Sequence, residues 1–315
     1  MTFTADNSAI FKIRSMLPQN VSTAIARLSN SITDKITEIR LRAEGVITVT
    51  IENKNYFLTC SGLSEKSSGA IRLTKTHLED FLYAFSKGSL YNHEKTLGDL
   101  YITNNAIRVG IGANVSFSDS DAFSGEITSL NIRIPRHIPD CSKPITDYIC
   151  KNGFTDGKGV LIISEPGKGK TTILRDLAKN LSSCKKKDGG MSALRVTVID
   201  ERNEIYMPGV FNECCIDFVS GVSKVTGIEK ASRTLSPQVI ICDEIASPEE
   251  AEKITRVKNA GIVFIASVHS LNHVTALKKD YIKSMFEHGV FGCSYTLSDA
   301  SKKEEGEIYE YDTNN

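Results

Sequence analysis

The sequence predicts an α/β chain in two parts, a P-loop nucleotide-binding domain on a parallel sheet preceded by a smaller α+β domain. Three observations predict it. Short continuous apolar runs alternate with helical patterns in the C-terminal half, and a glycine-rich loop joins the first of these runs to a helix. The N-terminal half instead reads as strands of alternating character with a few helical patterns among them. At 315 residues the chain also exceeds the roughly 250 to 300 at which one hydrophobic core stops growing, so two domains are expected.

In the N-terminal half, helical patterns over residues 9–17 and 21–29 lead into Ile36–Arg42, where Ile39 and Leu41 alternate with Glu38, Arg40 and Arg42 as in a half-buried strand. β-branched residues mark further strands at 46–51, 56–59, 101–103, 107–115 and 130–134. A helix with Leu78, Phe81, Leu82 and Phe85 on one face lies among them. Pro135, Pro139, Pro144, Gly153 and Gly157 then cluster, which places an N-terminal domain at 1–140, a linker at 141–157 and the nucleotide-binding domain at 158–315.

Beyond the linker, the apolar runs 160–163, 196–199, 239–242 and 262–266 suit parallel strands buried on both faces. Ser247-Pro248-Glu249-Glu250 offers an N-cap serine, a proline at the first helical position and a capping-box glutamate, and Gly261 follows the last turn. Residues 290–297 and 307–311 read as a terminal hairpin around a polar turn. No internal repeat or low-complexity segment interrupts this order.

Composition narrows the function classes. Apolar residues are 40% and charged residues 24% of the chain, as in soluble folded proteins. Lys+Arg and Asp+Glu are both 38, so no net field attracts nucleic acid or an acidic membrane. There is no tryptophan and no basic stretch interleaved with aromatics, so nucleic acid is not an expected partner. The longest basic run, at 185–187, reads as a solvated helix end. No stretch approaches the ~20 apolar residues that span a bilayer, and residues 1–8 lack the succession of a signal peptide; a cytoplasmic chain without direct membrane insertion is expected. Eight cysteines, with no CxxC pair, fit a reducing compartment, and Cys214-Cys215 are expected to be buried, inert thiols.

The chemistry concentrates in one loop. Between the strand 160–163 and a helix expected at 170–183 lies Ser164-Glu165-Pro166-Gly167-Lys168-Gly169-Lys170-Thr171-Thr172, which matches GxxxxGK[ST] except at its first position. Backbone N–H groups and the helix N-terminus there favour phosphate, so ATP with Mg²⁺ is the expected ligand. Lys170 is expected to reach the β- and γ-phosphates and Thr171 to bind Mg²⁺. Serine at position 164 is small enough for the loop to form.

About seventy residues later, Val239-Ile240-Ile241-Cys242-Asp243-Glu244 ends an apolar strand in two carboxylates. Both strand ends can reach one edge of a parallel sheet, where ligands bind in open α/β folds. Asp243 is expected to hold Mg²⁺ and Glu244 to orient or deprotonate the attacking water. Asp200-Glu201-Arg202 and His269 end two further apolar strands on the same edge. Glu201 competes with Glu244 as the base, His269 can sense the γ-phosphate, and His273 reads as an early helical residue.

These residues give the chain a family resemblance. Glu38-Ile39-Arg40-Leu41-Arg42, Ser89-Leu90-Tyr91, Gly98, Ile102-Thr103, Arg108-Val109-Gly110 and Leu130-Asn131-Ile132-Arg133-Ile134 carry it in the first half. Residues 166–176, 198–205 and 233–245 carry it in the second. The chain resembles the stage III sporulation protein AA family, relatives of the type II and type IV secretion ATPases. The resemblance implies a RecA-like ATPase domain, a homo-oligomer in the form of a hexameric ring, and a place in endospore formation. It further implies membrane-embedded channel proteins as partners, and a peripheral location on the mother-cell side of the outer forespore membrane. It matches residues 200–204 to an acidic box, Asp243-Glu244 to Walker B and His269 to a histidine box. Arg133 and Arg136 resemble arginines that contact phosphate across a domain interface.

The chain departs from the family at Ser164, at Ala106-Ile107, where a glycine-rich turn is usual, and at Ala246-Ser247. Those departures bear on rate. A nucleotide-dependent single-strand-binding protein and an ATP-binding scaffold with little turnover are the competing readings.

Overall fold

The computed structural model describes residues 9–87, 100–116, 124–183, 192–258, 260–297 and 306–311. Ser89-Leu90-Tyr91, Gly98, Cys184 and the basic run 185–187 lie outside the described residues. The chain forms two compact units divided between Arg136 and His137.

The first unit is a mostly antiparallel α+β structure. Its strands are β1 (Ile36–Arg42), β2 (Gly45–Val46), β3 (Thr48–Ile51), β4 (Lys54–Thr59), β5 (Gly62–Ser64), β6 (Arg72–Leu73), β7 (Tyr101–Asn104), β8 (Ile107–Ser116) and β9 (Ser124–Arg133). They pair in the order β5-β4-β3-β1-β9-β8-β7, with β2 and β6 as a separate pair. Ile36, Ile39 and Leu41 are all fully buried, although residues three apart should face opposite ways in a regular strand. A register shift between Ile36 and Glu38 against β3 resets the phase. The helix Lys75–Phe85 lays Leu78, Phe81, Leu82 and Phe85 into the same core, as its spacing predicts. Asn105 and Ala106 join β7 to β8 with φ of 51° and 65°, the two left-handed residues of a tight hairpin turn.

The second unit is a parallel sheet with helices on both faces. Its strands are β10 (Gly159–Ser164), β11 (Val196–Asp200), β12 (Ile216–Ser220), β13 (Val239–Cys242), β14 (Val263–His269), β15 (Phe291–Thr296) and β16 (Glu307–Glu310), in the order β12-β11-β13-β14-β10-β15-β16. All pairs are parallel except the terminal β15–β16 hairpin. Alternation along β10 feeds two cores. Val160 and Ile162 pack with Ile173, Leu174 and Leu177, while Leu161 and Ile163 pack with Ile228, Ile240 and Phe264. The edge strand β12 and the helix Lys224–Thr234 fall where the sequence shows no clear periodicity.

The segment 141–157 contains the helix Lys143–Asn152, whose Ile145 and Ile149 are buried in the second unit's core. Pro144 sits in the first turn of this helix, where its missing N–H costs nothing, so a proline cluster here marks a helix start. Cys214 is half-buried and Cys215 exposed, against the expectation of a buried pair, because they lead into the edge strand β12.

The start of this unit is tied to the helix Lys170–Ser182 by Asp176, which is buried and accepts from the Asp140 and Ser142 N–H groups at 3.2 and 2.8 Å and from Ser142 Oγ at 2.7 Å. His137 packs alongside, its Nε2 3.9 Å from Asp176 Oδ1. Burial and nearby Lys179 push His137 down from 6.5 to about 4, outweighing the pull of Asp176. The folded state therefore keeps the ring neutral in a range where the unfolded chain binds a proton. The resulting stability is complete above pH 6.5 and is lost as pH falls towards 4. Thermal melting temperature should fall across this range in the parent chain, and His137→Gln should flatten the slope; an unchanged slope would contradict the assignment.

Gly159 opens β10 against β14, and a Cβ there would lie 1.7 Å from the Phe264 carbonyl oxygen. Backbone on both sides leaves no soft neighbour to yield. Gly159→Ala should lower unfolding free energy by about 3 kcal/mol or more in denaturant titration.

Candidate active site

Register places the site. In the parallel β10–β14 pair Ser164 stands opposite His269, and across β11, β13 and β14 Ile199 aligns with Cys242 and Cys242 with Ala266. Asp200, Asp243, Ser267, Ser164 and His269 are thus brought to the carboxyl edge of four adjacent strands. The loop leaving β10 turns through Gly167 and Gly169, at φ 77° and 95°, before the helix begins at Lys170. Left-handed angles of this kind favour glycine. Ser164 makes no such demand: it is the last residue of β10, buried, in extended backbone, with its Oγ donating to the Glu165 carbonyl at 2.8 Å. Serine in place of the motif's first glycine therefore costs the loop no backbone strain.

The Lys170 side chain folds back over the loop. Its ammonium donates to the Ser164 and Glu165 carbonyls at 3.2 and 3.3 Å and to His269 Nδ1 at 2.5 Å. A lysine can only donate, so Nδ1 accepts and the ring proton resides on Nε2. That nitrogen lies 3.3 Å from Glu244 Oε2. Lys170, His269 and Glu244 form one continuous chain. Burial pushes the Lys170 ammonium below its usual range, opposed by the charges of Asp243 and Glu244.

A second group sits beside it. Asp243 Oδ1 accepts from Ser267 Oγ at 2.8 Å and from the Glu244 N–H at 2.9 Å, while Oδ2 accepts from Thr171 Oγ1 at 3.2 Å. Among the described residues, no group of three His, Cys, Asp or Glu side chains could hold a metal alone. Thr171 and Asp243 are two hard oxygen ligands, and Mg²⁺ takes that few when phosphate oxygens and water complete its octahedron. The donor set therefore fits Mg²⁺ bound together with a nucleotide.

The other sequence-predicted residues divide. Asp200 is buried and accepts three backbone N–H bonds, from Glu204 at 2.8 Å, Ile205 at 3.0 Å and Tyr206 at 2.8 Å. It organises the loop after β11, and desolvation raises its pKa against those three bonds. Glu201 is exposed and stands outside the bonded set of Lys170, His269 and Glu244. Arg133, at the end of β9, pairs with Glu38 Oε1 at 3.4 Å; it and Arg136 belong to the first unit. His273 opens a short helix and is buried, its Nδ1 2.7 Å from Ser294 Oγ.

Three residues escape the sequence reading. Ser267, fully buried, could have been noticed as a hydroxyl inside an apolar strand. Arg175, on the helix after the P-loop, donates to the Ile205 carbonyl at 2.8 Å and to that of Glu204, fixing the Asp200 loop from below. Lys224 is buried against the Glu244 carbonyl with no signal in its spacing. Asp200→Ala should strand three backbone donors and lower stability by about 3 kcal/mol in thermal or denaturant melts.

Comparisons with known proteins agree with this geometry. Among solved structures, the ATPase DotB of Legionella pneumophila superposes with a TM-score of 0.54 at 13% identity, over 84% of this chain and 72% of that one. The pilus retraction motor PilT with bound ADP gives 0.58 at 13% identity, over 84% and 75%. These likenesses show an α/β, RecA-like P-loop ATPase fold. Stage III sporulation protein AA of Bacillus subtilis (strain 168) is 29% identical over 298 residues, 92% of this chain and 91% of that protein. The family model described as sporulation stage III, protein AA, matches residues 9–313, and the chain belongs to that family.

Proposed function

We propose that the chain binds and hydrolyses Mg-ATP at residues 164–172 and that this turnover energises a channel complex during endospore formation. The observation that carries the reading is the Lys170–His269–Glu244 chain set beside the Thr171–Asp243 pair on one sheet edge. Mg²⁺, when bound, supplies charge neutralisation on the β- and γ-phosphates.

The protein's own groups do the rest. The loop N–H groups and the start of the helix Lys170–Ser182 cradle phosphate oxygens, with the helix dipole in their favour. Lys170 exchanges its carbonyl partners for phosphate, and Thr171 and Asp243 hold the metal. Released from Lys170, His269 keeps its Nε2–H on Glu244, so that the exchange of Lys170 from the ring to the phosphate is felt at the base. Glu244 orients the attacking water and accepts its proton. Glu244 is preferred to Glu201 as the base because it alone is bonded into the set. Arg133 and Arg136 are assigned, on the family resemblance, to phosphate charge. The same resemblance supports a hexamer docked on membrane-embedded sporulation channel proteins. No described helix is long and apolar enough to cross a membrane.

Phosphate release by the purified chain should exceed that of Lys170→Ala, which should also lose nucleotide binding. Glu244→Gln should keep binding and lose about 100-fold or more in turnover, and Glu201→Gln should lose little. Parent activity no higher than Lys170→Ala and Glu244→Gln would remove the ATPase reading and leave a nucleotide-binding scaffold. A strictly monomeric mass with ATP present would remove the ring.

A further inference from the structure

Glu244 sits on backbone just past the end of its strand. β13 ends at Cys242, and residues 243–247 are irregular before the helix Pro248–Lys258 begins. Their main-chain groups are fastened one by one instead. The Glu244 N–H goes to Asp243 Oδ1 at 2.9 Å, the Ile245 N–H to the Ser267 carbonyl at 2.8 Å, and the Ala246 N–H to Glu250 Oε2 at 2.9 Å. The Glu244 carbonyl accepts from the Lys224 ammonium, which also donates to both Glu250 oxygens at 3.1 Å.

Lys224 is placed against local preference. It is the first residue of the helix Lys224–Thr234, capped by Ser223, so a positive charge meets the positive end of the helix dipole. It is 6% exposed, and burying an ammonium is costly even when it is paired. Burial and helix preference both favour another residue here, so stability does not explain it; what it gains is a fixed grip on the Glu244 backbone. The same two helices are joined by a second ion pair, Lys253 to Glu229 Oε2 at 3.0 Å, which is not hydrogen-bonded to residues 243–247.

We infer that Lys224 is a positioning residue for the water-activating carboxylate: with Glu250 it clamps residues 244–246 and holds the Glu244 side chain in register with His269. This rests on the ATPase reading above. Lys224 touches neither nucleotide nor water in this scheme. It acts through Glu244, so its loss should appear in kcat and leave nucleotide affinity alone.

The experiment compares steady-state ATP turnover with equilibrium binding of a fluorescent ATP analogue in five forms: the parent chain, Lys224→Met, Lys224→Arg, Lys224→Met/Glu250→Gln and Lys253→Met. Lys224→Met should lower kcat about tenfold or more with analogue affinity within about twofold of the parent. Lys224→Arg, which keeps charge and donors, should recover most of the loss. The double variant removes the carboxylate left unpaired and so protects the fold, and it should stay as slow as Lys224→Met. Lys253→Met, which breaks the neighbouring pair between the same helices, should turn over at the parent rate. Parent-like kcat in Lys224→Met or in the double variant, or an equal loss in Lys253→Met, would overturn the assignment while leaving the ATPase reading intact. A parent chain that binds the analogue without turning over ATP would overturn both.

Discussion

A buried ammonium group governs the rest of the second unit. Lys170 is 7% exposed, and a charge so placed must be surrounded by acceptors. Its acceptors come from three separate parts of the sheet edge: the end of β10, the loop that follows it and the end of β14. Those can converge only if β10 and β14 are parallel neighbours in the observed register, with Ser164 opposite His269. The two strands that carry this register are buried along their length, with a core packed on each face. The short apolar runs and Lys170 at the head of its helix are two aspects of one arrangement.

Polar fastening continues outward from that point. Asp200 and Asp176 are both buried carboxylates, and each gathers backbone N–H groups from a segment that would otherwise be unsupported. Arg175 and Asp176, adjacent on one helix, hold two such segments on different sides of it, the Asp200 loop and residues 140–142. The helix after the P-loop thus braces its surroundings through its charged residues as well as its apolar face.

What the sequence made legible follows from how local each signal is. The glycine-rich loop between β10 and its helix, the strand that runs up to Asp243-Glu244 and the cap at Ser247 are contiguous patterns, and the structure has these elements where the spacing puts them. Ser267, Arg175 and Lys224 act on partners 20 or more residues away, through strand register and helix packing, so no local pattern announces them. The linker expectation failed on Pro144 because a proline cluster reads the same whether it ends order or begins a helix. In the first unit the alternation of Ile39 and Leu41 was plain, but the burial of Ile36 depended on an irregular pairing that only the partner strand reveals. The buried thiol expectation failed at Cys215 for a similar reason, since edge position is a property of the sheet and not of the residue.

The Asp243 carboxylate has two unequal halves. One oxygen is anchored by Ser267 and by the main chain at 2.8 and 2.9 Å, while the other, among the described residues, is hydrogen-bonded to the Thr171 hydroxyl alone, at 3.2 Å. The group is therefore hinged like a gate, with its post set in the sheet and its latch resting on the P-loop. A ligand arriving between Asp243 and Thr171 has one long hydrogen bond to replace and no side chain to rotate, so the carboxylate can change partner while the strand beneath it stays still.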